Sequence, residues 1–302
     1  MLWARRAVSE DALFAFQVEG APVRGRLVRL SPKIVDAILQ RHAYPRPVAL
    51  VLGEAIALAA LLGGLAKSAQ KITLQAEGDG PCGLLVAEWR QDGSLRAYAR
   101  LAPDGAKRIG DQSRMIPRAL LGQGALAVTL DLGPGADRLQ GFAPLEGDEL
   151  AACAEIFFER SEQTPTRVRL ACVEDIGAGG SAWRAGGALI QRVAGDDARG
   201  FTDDDWERAQ YLFATLQDAE LVDPLLKAEE LIFRLFHEEG VRMTPGQALA
   251  DRCTCDVQRL AAVLSRYDAR ELDDFVEADA LIHARCEFCA RDYKLSPQEI
   301  TG

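Results

Sequence analysis

The sequence predicts an α+β protein in three parts. These are an N-terminal core of antiparallel sheets and packed helices, a helical linker, and a small C-terminal module gathered by cysteines. Three observations carry this reading. Short runs of alternating apolar and polar residues recur between glycine-containing turns through the first two-thirds of the chain. Two amphipathic helical stretches then follow a shift to small and charged residues at Ala194 to Gly200. Finally, four of the seven cysteines stand as Cys253-Thr254-Cys255 and Cys286-Glu287-Phe288-Cys289. The divisions fall at 1–195, 196–250 and 251–302.

Leu13 to Glu19 and Val23 to Leu30 alternate across Gly20-Ala21-Pro22, which predicts two adjacent antiparallel strands. Ser31-Pro32 supplies an N-cap and a first-turn proline for a helix to about Gln40, with Ile34, Ile38 and Leu39 on one side. A long helix begins near Arg46. Its stretch Val48 to Leu65 is apolar enough to span a membrane, but it carries Glu54, and a central carboxylate is expensive in lipid. A buried core helix is the preferred reading. Ile72 to Glu77, Leu84 to Trp89 and Leu95 to Leu101 are joined by two glycine turns, which makes a meander. Ala125 to Leu132 is a further strand. Asp148 is placed to cap a helix to about Arg160, with Leu150, Cys153, Ile156 and Phe157 inward.

Val168, Leu170 and Cys172 define a half-buried strand, and Leu189-Ile190 a last one. Gly177-Ala178-Gly179-Gly180 and Gly186-Gly187 read as turns, because no Gly-Lys-Ser/Thr follows to make a phosphate loop. In the linker, Thr202 with Asp205 resembles a capping box for a helix to about Gln217. Asp223-Pro224 opens a second helix ending at Gly240, with Leu225, Leu226, Ile232, Phe233, Leu235 and Phe236 as its apolar set. Helices this short need a surface to lie on.

A net charge of -10 opposes nucleic acid as the main partner, since phosphate binding needs a cationic surface. No membrane partner is expected either. Met1 to Arg6 runs into Glu10-Asp11 without the apolar core of a secretory signal, so the expected compartment is the cytoplasm, where thiols stay reduced. There, clustered cysteines point to metal or redox chemistry.

Zinc takes four tetrahedral ligands and suits thiolates. In extended chain Cys253 and Cys255 face the same side. Cys286 and Cys289 lie between two strand-like runs, so a hairpin with CEFC at its tip would form a zinc knuckle. Asp256 caps a helix with Val257, Leu260 and Leu264 on one face, Asp268 caps another with Leu272 and Phe275, and Ser296-Pro297-Gln298-Glu299 starts a last one. About fifty residues with so few large apolar side chains make a poor core, so one zinc ion would supply the folding energy. The alternative is two unrelated reduced pairs. CxC is unusual for a merely structural site, and oxidation of either pair would remove two ligands at once. His283 is read as a strand residue rather than a substitute ligand, and Cys82, Cys153 and Cys172 as inert buried thiols. No nucleophile motif appears, and the chain is not expected to be an enzyme.

An ordered set of motifs then points to a family. It comprises Gly78-Asp79-Gly80-Pro81, Arg96-Ala97-Tyr98-Ala99-Arg100, Leu121-Gly122-Gln123-Gly124, Gln140-Gly141 through Leu145-Glu146-Gly147, Ser161-Glu162-Gln163-Thr164-Pro165-Thr166, Gly186-Gly187 before Gln191, Leu235-Phe236-His237-Glu238-Glu239 and the four cysteines. In these the chain resembles the heat shock protein 33 family, the redox-regulated holdase chaperones of bacteria. One departure is Phe157-Phe158, where a tyrosine is common.

The resemblance implies that Cys253, Cys255, Cys286 and Cys289 hold zinc in a reduced, inactive state. It further implies that oxidation forms Cys253–Cys255 and Cys286–Cys289 disulfides, releases the metal and unfolds the linker. Dimers would then bind unfolding client proteins without ATP. Two rivals stay open: a thiol-disulfide oxidoreductase using Cys286 and Cys289, and a constitutive zinc-dependent interaction module.

Overall fold

The computed structural model describes residues 10–66, 68–177, 180–193 and 203–301. The chain divides into two compact units, Met1–Asp251 and Arg252–Gly302. The mixed α+β class is as the sequence predicts.

The first unit opens with strands β1 (Ala12–Val18) and β2 (Val23–Leu30), paired antiparallel from Ala12↔Arg29 to Val18↔Val23. Helix α1 (Pro32–Leu39) starts where expected, the Ser31 hydroxyl accepting from the Lys33 N–H. Helix α2 (Arg46–Leu65) is the centre of this unit, and only Arg46, Glu54, Gly64 and Leu65 in it are not buried. Its length and apolarity would suffice to cross a membrane. Here its faces are covered by protein on two sides.

Strands β3 (Lys71–Gly78), β4 (Cys82–Arg90) and β5 (Ser94–Leu101) form the meander. Short helices α3 (Gly105–Ile109) and α4 (Pro117–Leu121) follow, neither evident from periodicity because each is a single turn or little more. Strand β6 (Gly124–Asp131) pairs with β3, and β7 (Leu139–Pro144) pairs with β6. The sequence reading missed β7. It is an edge strand that tolerates Pro144, and its Leu139 and Phe142 face solvent, so it lacks the usual alternation.

Helix α5 (Leu150–Phe157) begins two residues beyond Asp148, with no side-chain cap, and buries Leu150, Cys153, Ala154 and Phe157. It runs on as a wider turn over Phe158–Glu162 that stops at left-handed Gln163. Phe157 and Phe158 are both buried and meet edge to face. Strands β8 (Thr166–Gly177) and β9 (Gly180–Arg192) make a long hairpin. Gly186 and Gly187 are therefore not a turn. They lie inside β9, between β2 and β8, where a Cβ on Gly186 would come within 2.6 Å of the Leu221 carbonyl oxygen.

The expected break at Ala194 to Gly200, with Thr202, lies outside the described residues. Helices α6 (Asp203–Ala214), α7 (Asp218–Val222) and α8 (Ala228–Phe236) follow. Asp223-Pro224 separates α7 from α8 rather than opening a helix to Gly240. Asp223 Oδ1 accepts from the Leu225 N–H, and Arg29 donates to the carbonyls of Leu221, Asp223 and Leu226, which holds the chain in a turn. Leu225 and Phe233 consequently face solvent, while Ile232, Leu235 and Phe236 are buried. Three short strands end the unit: β10 (Val241–Met243) and β11 (Gln247–Ala248) on β1, and β12 (Ala250–Asp251) parallel to β5.

One sheet thus runs β10-β1-β2-β9-β8, with β11 also on β1, and the other runs β12-β5-β4-β3-β6-β7. Helix α2 packs against β3, β4 and β5 of the second and β2, β8 and β9 of the first. A separate apolar cluster joins Phe14, Phe16, Leu27 and Ile190 to Trp206, Phe213, Leu231 and Phe236. The helices of the linker therefore have the surface they need, the face of the first sheet that does not meet α2.

The second unit holds α9 (Val257–Leu264), α10 (Ala269–Asp273), the hairpin β13 (Ile282–Arg285) and β14 (Asp292–Leu295), and α11 (Pro297–Thr301). Its buried apolar residues are Leu272, Ile282, Leu295 and Ile300. Leu260 and Leu264 lean on these, but Val257, read on the same face as those leucines, and Phe275, read with Leu272, face solvent.

Candidate metal centre

The local chemistry that aims the cysteines is short-range. Asp256 Oδ1 accepts from the Arg259 N–H, so α9 starts directly after Cys255 and ends the extended run that carries Cys253 and Cys255. At the start of α10 the side chains of Asp268 and Glu271 each accept from the other's backbone N–H, and those of Ser296 and Glu299 do the same at α11. Strands β13 and β14 pair from Ile282↔Leu295 to Arg285↔Asp292. At their tip the Cys286 N–H donates to the Arg291 carbonyl and the Ala290 N–H to the Cys286 carbonyl, with Ala290 left-handed. CEFC therefore occupies a knuckle at the tip of a hairpin, as its position between two strand-like runs predicts.

All four sulfurs lie within 4.8 Å of one another, and all four residues are half-buried. The Sγ atoms of Cys253 and Cys286 are 3.8 Å apart, and those of Cys255 and Cys289 are 3.2 Å apart. Thiolates about 2.3 Å from a tetrahedral ion stand roughly 3.8 Å from each other, so the set fits one zinc-sized ion. These residues could hold a metal. Among the described residues no other group of that kind is found.

The four sulfurs are not equivalent. Burial works against the Cys255 thiolate, but hydrogen bonds from Tyr293 and the neighbouring thiols outweigh it and bring this thiol down to about 7. Burial pushes Cys286 up, and pushes Cys289 up to about 12. The Tyr293 hydroxyl donates to Cys255 Sγ at 3.1 Å. Sequence reasoning passed over Tyr293. The signal was an aromatic hydroxyl four residues past Cys289, on the strand returning from the knuckle.

His283 does not join the cluster; its Nε2 lies 2.9 Å from Asp279 and its Nδ1 3.6 Å from Glu277. Cys82, Cys153 and Cys172 are buried in the first unit, where burial holds each thiol above its ordinary range, Cys82 at about 11. All three are buried, as read.

Fold and site together define a class: an α+β protein whose helix-centred core is followed by a module bearing four clustered cysteines. Comparison places it more closely. Residues 11–296 match the family described as Hsp33 protein. The chain is 47% identical over 291 residues to a 33 kDa chaperonin of Caulobacter vibrioides, covering 96% of each chain. It is 35% identical over 293 residues to a 33 kDa chaperonin of an Enterobacter species, covering 96% of this chain and 94% of that one. A crystal structure of the 33 kDa chaperonin (heat shock protein 33 homolog) of Thermotoga maritima superposes with a TM-score of 0.77 at 22% identity, over 96% of this chain and 97% of that one, and so shares the fold. The chain belongs to the Hsp33 family.

Proposed function

We propose that this protein is an ATP-independent holdase chaperone switched by oxidation, with Cys253, Cys255, Cys286 and Cys289 as the ligands of one zinc ion in the reduced, inactive state. The observation that carries the reading is the disproportion inside the second unit. Four thiols converge within 4.8 Å in a module whose buried apolar set is only Leu272, Ile282, Leu295 and Ile300. Such a core contributes little on its own, and a structural zinc ion on the order of 10–16 kcal/mol, so the metal would hold the module folded. When bound, zinc supplies charge neutralisation and geometry to the four thiolates. The chain's own residues do the rest: the hairpin and the α9 cap hold the sulfurs convergent, and the thiols carry the electrons that an oxidant removes.

Oxidation within each motif, Cys253 to Cys255 and Cys286 to Cys289, would remove all four ligands and with them the module's main source of stability. Asp251, the last residue of β12, stands two residues before Cys253, so unfolding of the module would reach the end of the linker directly. Release of residues 203–250 would uncover the apolar face beneath Trp206, Phe213, Leu231 and Phe236, an area suited to unfolding clients. Family membership supports chaperone action through the names of the relatives, 33 kDa chaperonins. Dimerisation on activation, a cytoplasmic site of action and the three-part division at 1–195, 196–250 and 251–302 belong to the same reading.

The test pairs a zinc and thiol titration with suppression of client aggregation, before and after hydrogen peroxide at raised temperature. The reading expects zinc loss, disulfide formation and holdase activity to rise together. Full holdase activity with zinc bound and four reduced thiols would refute it, and catalytic turnover of disulfides would favour an oxidoreductase.

A further inference from the structure

The Tyr293 hydroxyl is the one phenol aimed at the sulfur cluster among the described residues. Strand β14 presents it inward opposite Ala284, half-buried, with its oxygen 3.1 Å from Cys255 Sγ. The hydroxyl donates along this line, so its hydrogen is directed to the sulfur. Tyr267, the other tyrosine of this unit, packs edge to face on Phe275 and faces solvent.

From this geometry we infer that Tyr293 sets how readily the cluster is oxidised, by holding a lone pair of Cys255. The inference rests on the redox reading above. Attack on hydrogen peroxide uses a sulfur lone pair: the thiolate bonds to one peroxide oxygen, the O–O bond breaks, and the leaving hydroxide takes a proton to become water. The sulfur, oxidised by two electrons to a sulfenic acid, is then attacked by a neighbouring thiolate, which forms the disulfide and releases a second water. A lone pair engaged by an O–H donor is less nucleophilic and binds its metal with less charge repulsion among four thiolates. Tyr293 is thus a positioning residue that raises the oxidant dose needed to open the site.

The experiment compares wild type, Tyr293→Phe and Tyr267→Phe as full chains loaded with zinc. Zinc release is followed with a chromogenic chelator under hydrogen peroxide, and oxidation of each cysteine is mapped by mass spectrometry. Tyr293→Phe is expected to release zinc faster by about tenfold, the worth of one hydrogen bond to a charged sulfur, with the increase in oxidation at Cys255. Tyr267→Phe is expected to match wild type. The same chains loaded with cobalt(II) give a readout that fold stability does not move: the thiolate-to-cobalt absorption should shift to longer wavelength in Tyr293→Phe alone.

Equal release rates in wild type and Tyr293→Phe, or equal acceleration in both variants, would overturn the role of Tyr293 while leaving the redox reading in place. Wild type that keeps its zinc and its thiols under peroxide would overturn the redox reading itself, and this inference with it.

Discussion

Arg41 and Asp251 form an ion pair that ties the turn after α1 to β12, the last strand before the cysteine module. Both side chains are largely buried, and Asp251 Oδ1 has no hydrogen-bond partner of its own. Removing the guanidinium leaves a poorly solvated carboxylate. Arg41→Ala should cost about 2 kcal/mol locally and loosen residues 247–251. Limited proteolysis of the reduced, zinc-loaded protein should then cut in this segment faster than in wild type, while the second unit stays intact.

The anchor of the linker helices is Phe236, fully buried on α8 with its ring 6.0 Å from that of Phe16 on β1. Phe236→Ala should cost about 3–5 kcal/mol through lost burial and the cavity left behind. Hydrogen exchange should rise across α6, α7 and α8 but not in α2. If release of these helices exposes the client surface, this variant should also suppress aggregation without oxidant. A variant with faster exchange and no gain in holdase activity would argue against that surface.

Metal removal should divide the protein cleanly. A strong chelator, or Cys289→Ser, is expected to unfold residues 252–302 while the first unit keeps its sheets and its central helix. Proton NMR would show loss of dispersion for Ile282, Leu295 and Ile300 with the α2 signals unchanged. Retention of a folded second unit without metal would mean its small apolar cluster suffices.

Glu54 gives a pH dependence with a definite sign. Half-buried on α2, its carboxyl is pushed up to about 7 chiefly by burial, with Arg114 opposing and Glu149 and Asp218 adding to the rise. The folded state therefore keeps a proton that the unfolded chain gives up near 4.5. The stability this proton contributes is fully present below about 4.5 and is lost as pH rises through 7, roughly 3 kcal/mol in all. Glu54→Gln should be more stable than wild type at pH 8, with the difference vanishing near pH 4.5. Denaturant unfolding at the two pH values checks it.

Much of this protein was legible in one dimension, because its signals are local. Ser31-Pro32 capped α1 as read, the meander followed its glycine turns, and the Cys pairs fell where an α9 cap and a hairpin tip could aim them. Each depends on contacts within a few residues, which composition and spacing report. What sequence misread depends on distant partners. Gly186-Gly187 reads as a turn until Leu221 is found pressed against the strand. Asp223-Pro224 reads as a helix start until Arg29, 194 residues away, is found gathering the carbonyls around it.

The four ligand candidates, their spacing and the poverty of the module around them were determined by the sequence alone, since thiol chemistry needs only residue type and a chain able to fold back. Tertiary structure decided which sulfurs stand nearest, that β10, β11 and β12 stitch the linker into both sheets, and that a tyrosine hydroxyl reaches Cys255. The reason is physical: strand pairing and a 3.1 Å hydrogen bond depend on positions in space that residues 38 apart in the chain acquire only once it has folded.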